Sequence, residues 1–197
     1  MSGDRQHKSQ KLRNKIALVT CLLLFTLSCE TSWAIKFTVN ARILSRIEFE
    51  TPGAAKDRNY LGIPGSLVFR LPQIQADVLI IEIFNMYCHY CQKEAPNVNK
   101  LYAIIERDPA LKGRVKLIGI GAGNTPYEVN LFKKRFKVGF PLLPDPEVAI
   151  QKTSKSKFRT PTFLVARKVE GPALEIVQVH IGKLGPLRQF LNSFMSR

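Results

Sequence analysis

The run Cys88-His89-Tyr90-Cys91 constrains this chain more than any other feature. It directly follows an apolar stretch, Val78-Leu79-Ile80-Ile81-Glu82-Ile83-Phe84, whose length and β-branched content predict a strand. It directly precedes a stretch from Gln92 to Glu106 that carries Ala95, Val98, Leu101, Tyr102 and Ile105 on one helical face. Two cysteines at a strand-to-helix junction suit reversible disulfide chemistry. A helix start offers unpaired N–H groups and the positive end of a dipole, which stabilise a thiolate and make it a nucleophile near neutral pH. A second cysteine one turn on is close enough to resolve a mixed disulfide.

A structural bridge is the weaker reading, because so short a loop constrains little of the unfolded chain. A zinc half-site lacks its other half: no second cysteine pair exists in the segment from residue 35 on, and His89 and His180 do not complete a set. Gln92 follows Cys91, so the run is not a c-type haem attachment sequence. No metal or cofactor is expected.

The charge balance is strongly basic, with 30 Lys and Arg against 15 Asp and Glu. Nucleic acid, an anionic membrane surface and acidic proteins are all possible partners for such a chain. The N-terminus argues against nucleic acid. Arg5, Lys8, Lys11, Arg13 and Lys15 form a basic region ahead of the apolar Ile16 to Leu27, and Ser32-Trp33-Ala34 supplies small residues at a cleavage site. Residues 1–34 are therefore expected to be an export signal, cleaved after Ala34, which places the remainder in the periplasm or another extracytoplasmic space. The apolar run is shorter than the roughly 20 residues of a spanning helix. An uncleaved inner-membrane anchor and lipidation at Cys29 are the alternatives. Cleavage removes Cys21 and Cys29 and leaves Cys88 and Cys91 as the only pair.

Residues 35–76 are expected to form a strand-rich extension, with strands at Lys36–Val39, Ile43–Phe49 and Ser66–Leu71 and a polar, turn-rich stretch over Thr51–Asn59. Residues 77–197 are expected to form the main domain. Strands are predicted at Val115–Ile120, Thr162–Ala166 and Glu175–Ile181, and helices at Tyr127–Phe136 and after Pro186. Pro141, Pro144 and Pro146 predict an irregular stretch. This β-α-β-α-β-β-α order indicates an α/β fold with a central mixed sheet and helices on both faces.

Several separated positions resemble the thioredoxin fold, and more narrowly the TlpA/ResA-like redoxins of bacterial envelopes. The resemblance covers residues 60–195 and rests on Cys88-x-x-Cys91, Glu82 six positions before it, Pro96 five positions after it, Thr160-Pro161-Thr162, and Phe140-Pro141-Leu142-Leu143-Pro144-Asp145. It implies a thioredoxin-like fold with an N-terminal β extension and a thiol–disulfide oxidoreductase acting through Cys88 and Cys91. It implies a buried acid at Glu82 that exchanges a proton with Cys91. It implies a cis bond at Thr160-Pro161 that turns the Thr160 backbone toward the dithiol, where an extended substrate pairs with it. It further implies protein disulfide substrates such as apocytochrome c cysteines, and a membrane electron donor of the DsbD or CcdA type. The aromatic Trp often found near the motif is absent, and Phe84 and Tyr87 stand nearby.

His89 and Tyr90 are neither Gly-Pro nor Pro-Pro, so the direction of the reaction stays open between reductase and oxidase or isomerase. His89, when protonated, favours the Cys88 thiolate; the alternative is a solvated turn residue. An isomerase usually dimerises, and no segment reads as a dimerisation domain, so a monomer is expected. A peroxiredoxin is disfavoured by the missing Pro-x-x-x-Thr-x-x-Cys pattern. A redox-gated chaperone using its basic faces is the non-enzymatic alternative. Gly119-Ile120-Gly121-Ala122-Gly123-Asn124 lacks the spacing of a nucleotide loop and reads as a flexible connector. Lys133–Lys137 and Lys152–Arg159 are basic clusters, and the second leads into Pro161, beside the expected active site.

Overall fold

A computed structural model of the chain describes residues 39–63 and 65–195. The export signal expected over residues 1–34 lies outside them, as does most of the first expected strand; Val39 is not in a strand. The elements are α1 (Ala41–Leu44), β1 (Glu48–Glu50), α2 (Ala55–Leu61), β2 (Val68–Arg70), β3 (Val78–Phe84), α3 (His89–Arg107), β4 (Val115–Ala122), α4 (Pro126–Arg135), β5 (Leu142–Asp145), β6 (Thr162–Lys168), β7 (Leu174–Ile181) and α5 (Leu187–Met195).

Five strands form one mixed sheet in the order β5-β4-β3-β6-β7. β3 pairs parallel with β4, and β4 with β5, while β6 runs antiparallel to both β3 and β7. The β3–α3–β4 and β4–α4–β5 connections step the same way across the sheet, so crossovers of one hand leave both helices on one face. β3 is central and wholly buried. Its side chains alternate, as the pleat requires. Val78, Ile80 and Phe84 pack with Val98, Leu101 and Ile105 of α3, with Phe132 of α4 and with Phe190 and Phe194 of α5. Leu79, Ile81 and Ile83 face the opposite way, against Leu44 of α1, Leu61 of α2, and Phe49 and Phe69 of the β1–β2 pair.

Several expected elements differ from the structure, through local caps and through contacts distant in sequence. The Ile43–Phe49 strand is instead the short helix α1 followed by β1. Asn40 caps the helix, its Oδ1 accepting from the Ile43 N–H at 3.1 Å, while the Asn40 N–H donates to the Thr153 carbonyl at 2.6 Å. The polar Thr51–Asn59 stretch contains most of α2. Its polar residues find partners away from the helix: Lys133 Nζ lies 2.6 Å from Asp57 Oδ2, and the Arg58 guanidinium donates to the Pro52 and Gly53 carbonyls. The proline-rich stretch after Pro141 holds the additional strand β5, making the order β-α-β-α-β-β-β-α. Pro144 is tolerated because β5 is an edge strand, where a missing N–H can face away from the ladder.

The glycine-rich stretch after Ile118 is not a connector at its start. Gly119 and Gly121 lie inside β4 and make room for the Phe84 ring: a Cβ on either would sit 3.2 Å from that ring. This close approach seats the end of β3, from which the chain leaves toward Cys88.

Candidate active site

The antiparallel pairing of β3 with β6 sets Ile83 opposite Thr162. The C-terminal end of β3 and the chain entering β6 therefore meet at one edge of the sheet. There the Cys88 thiol donates to the Thr160 carbonyl at 3.2 Å, and the Thr160-Pro161 bond is cis. Cys88 is the N-cap of α3, with extended backbone, and His89 opens the helix.

The three residues between β3 and Cys88 are held by a set of amide bonds. Asn85 Nδ2 donates to the Ala122 carbonyl at 2.8 Å, and Asn85 Oδ1 accepts from the Tyr87 N–H at 2.9 Å. Asn124 is fully buried, and its Oδ1 accepts from the Met86 N–H at 2.8 Å. Gln92 Nε2 reaches back to the Met86 carbonyl at 2.8 Å. The Cys88 N–H donates to the Asn85 carbonyl at 3.0 Å. The Tyr87 hydroxyl donates to Glu128 at the start of α4. The cysteine is thus presented by a braced turn.

Both cysteines are free thiols, in unlike surroundings. Cys88 is half-buried; Cys91 is fully buried beneath it, packed with the first core. Burial pushes the Cys88 thiol up, but the Thr160 hydroxyl, the Cys91 and Tyr90 N–H groups and the Cys91 thiol outweigh it, so the net shift is down. Thr160 thus offers a carbonyl to the thiol and a hydroxyl to the thiolate. For Cys91 burial dominates, a hydrogen bond to the Asn85 backbone opposes it, and the neighbouring Cys88 adds to it, so its thiol is held far above the ordinary range.

Glu82 is 1% exposed and sits on the side of β3 that also carries Ile80 and Phe84, which pack in the same core as Cys91. Its Oε1 has no hydrogen-bond partner among the described residues. Burial, and secondarily the charge of Glu94, push its carboxyl up to about 8. Glu94 is itself buried on α3, one turn beyond Cys91, with Oε1 accepting from Asn97 Nδ2 at 2.7 Å and from the Leu184 N–H at 3.1 Å. Beside the dithiol opens a groove of about 750 Å³, lined by Tyr90, Glu94, Thr160, Pro161 and Ile181 together with Lys93, Arg159 and Lys183.

No protein-family model matches the chain. A curated relative, the thiol-disulfide oxidoreductase ResA of Geobacillus thermodenitrificans, is 22% identical over 135 residues, covering 68% of this chain and 72% of the relative. A secreted disulfide oxidoreductase of Mycobacterium tuberculosis, described as homologous to E. coli DsbE, superposes with a TM-score of 0.52 at 15% identity, over 77% of this chain and 98% of that one. A thiol-disulfide isomerase of Corynebacterium glutamicum gives 0.51 at 20% identity, over 83% and 96%. These structures show that the fold is thioredoxin-like. The chain is similar in sequence to a thiol-disulfide oxidoreductase and carries a thioredoxin-like fold.

The structure brings Cys88, Cys91, Thr160 and Pro161 together, and sets Glu82 on the sheet face beneath α3. His89 and Tyr90 are exposed, their rings 6.1 Å apart; Tyr90 lines the groove. Around the two cysteines, Asn85, Gln92, Glu94 and Asn124 are the residues that the sequence reading missed. Glu94 had a legible signal: at three residues after Cys91 it falls on the helix face that Ala95 and Val98 bury. Asn124 had none, because its partner Met86 is 38 residues away, and for Asn85 only the short turn to Tyr87 is local while its bond to Ala122 spans 37 residues.

Proposed function

We propose that this redoxin reduces protein disulfides, with Cys88 as the attacking thiol and Cys91 as the resolving one. The asymmetry of the two sulfurs carries the reading: the lowered thiol is half-exposed at the helix start, and the raised thiol is sealed in the core. The Cys88 thiolate attacks one sulfur of a substrate disulfide. A Cys88–substrate bond forms, the substrate S–S bond breaks, and the departing sulfur takes the electron pair and then a proton. The Cys91 proton passes to Glu82 in the minor fraction of molecules whose carboxyl is ionised near neutral pH, a fraction that grows as pH approaches about 8. Once Cys88 is bound to substrate it no longer repels a Cys91 anion, so that proton leaves more readily. The Cys91 thiolate then attacks Cys88, the Cys88–Cys91 disulfide forms, and the substrate's second sulfur leaves and is protonated. Two electrons reach the substrate.

The reductive direction is taken from the resemblance to the TlpA/ResA-like redoxins, which the ResA relative supports; the lowered Cys88 thiol marks the attacking sulfur and does not set the direction. Export through residues 1–34, envelope substrates such as apocytochrome c cysteines, and a DsbD- or CcdA-type membrane donor complete the proposal; the secreted relative and the ResA relative support it. The proposal seats substrate in the groove along Thr160 and Pro161, with Tyr90 in its lining and His89 next to Tyr90 rather than in the lining.

Cysteine variants test the assignment. Cys88→Ser abolishes exchange with insulin or another protein disulfide. Cys91→Ser accumulates a mixed disulfide through Cys88, seen as a dithiothreitol-sensitive adduct by non-reducing electrophoresis and mass spectrometry. Adducts that form through residue 91 and not residue 88 contradict the roles.

A further inference from the structure

The groove beside the dithiol has an apolar floor and a cationic rim. Pro161 and the exposed Tyr90 and Ile181, 71% and 45% accessible, supply apolar surface. Lys93 from α3, Arg159 ahead of β6 and Lys183 after β7 surround it. Three separate parts of the chain thus converge on one opening with one sign of charge. All three cations are exposed, and none takes part in the ion pairs found among the described residues. Lys152, Lys155 and Lys157, also exposed, extend the same field along the segment that leads to Arg159.

The acid that lines the groove does not neutralise this rim. Glu94 is 5% exposed, and its Oε1 is already held by Asn97 and by the Leu184 backbone. A groove edged by unpaired cations attracts anions and repels cations, and low-dielectric walls focus that field. A peptide crossing it in extended form places side chains alternately toward the apolar floor and toward the rim.

We infer that this groove selects its substrates by charge: it takes an extended peptide whose disulfide-bonded cysteine has acidic residues nearby and an apolar residue beside it. This rests on the proposed reductase function and names the substrate class for the same site. Charges at the rim of an interface act chiefly on the encounter rate and on its salt dependence. Discrimination is therefore expected in kcat/KM at low ionic strength. It fades as the screening distance falls from about 10 Å at 0.1 M salt to about 3 Å at 1 M.

Three synthetic peptides test this, identical except that the cysteine, held as a mixed disulfide with 2-mercaptoethanol, is flanked by Glu, Ser or Lys. Their reduction by the full chain is followed at low and high salt. The glutamate peptide is expected to be reduced at least about tenfold faster than the lysine peptide at low salt, with the serine peptide between them. The ratio is expected to collapse toward unity at high salt. In a variant carrying Lys93→Glu, Arg159→Glu and Lys183→Glu, the ratio is expected to invert. Because the ratio is measured within one protein preparation, it is independent of the amount of folded enzyme. Equal rates for all three peptides, or a preference that survives both high salt and charge reversal, overturn the charge inference and leave the reductase function standing. Failure to reduce any of the three, the serine peptide included, overturns the reductase function and this inference with it.

Discussion

Glu82 is protonated in the fold over a pH range in which the unfolded chain ionises it. Its carboxyl stands at about 8 in the structure, against about 4.3 in an unfolded chain. Between those values the folded state holds the extra proton, so stability falls as pH rises. The slope is at most about 1.4 kcal/mol per pH unit. The contribution is complete below the lower value and lost once pH passes the upper one. Glu82→Gln removes that titration. Denaturant midpoints measured at about pH 5, 6.5 and 8 are expected to fall for the parent, to be flatter for the variant, and to favour the variant at pH 8. A parent slope that Gln leaves unchanged contradicts the burial assigned to this carboxyl. The same variant is expected to slow release of the mixed disulfide about a hundredfold, read by quenched time courses.

The residues most legible in the sequence were those whose meaning is local. Cys88, Cys91 and Glu82 stand at fixed spacings within one strand–turn–helix unit, and Thr160-Pro161 stands at the head of a strand. The braces were not legible. Asn124 matters because it reaches the Met86 N–H across the sheet edge, a fact of β3–β4 register rather than of its neighbours in sequence.

At the level of elements, strands with unbroken apolar runs declared themselves, and elements that depend on partners did not. β3 and β4 are parallel and buried, so their sequences are nearly continuous hydrophobic runs. α2 reads as a polar loop because its helix is secured by Lys133 from α4 and by Arg58 folding back on Pro52 and Gly53. β5 reads as irregular because proline is disfavoured in strands, yet the edge position admits it. The seating of β3 on β4 makes a prediction at this scale. A Cβ at Gly121 would lie 2.8 Å from Val129 Cγ2 and 3.2 Å from the Phe84 ring. Gly121→Ala is expected to cost about 1–3 kcal/mol by overpacking, measured by chemical denaturation. Since Phe84 leads into the turn that carries Cys88, the variant is also expected to react more slowly at that thiol. Unchanged stability contradicts the close packing described.

Across the molecule, one sheet edge gathers what the chemistry needs from distant parts of the chain. β3 delivers the turn before Cys88, α3 supplies its N-terminus and the buried Cys91, β4 contributes Asn124 just past its end, and the approach to β6 brings Thr160. The opposite face is closed by α1, α2 and the β1–β2 pair, so residues 39–76 complete a core rather than the site. The thermodynamic balance between the two sulfurs integrates all of these contacts, and it decides the direction of the reaction. The reduction potential of the Cys88–Cys91 pair, measured by equilibration in dithiothreitol or glutathione buffers, tests it most directly. A dedicated reductase is expected at or below the thioredoxin value of about −270 mV. A potential of about −120 to −180 mV contradicts the account and makes this chain an oxidase or isomerase.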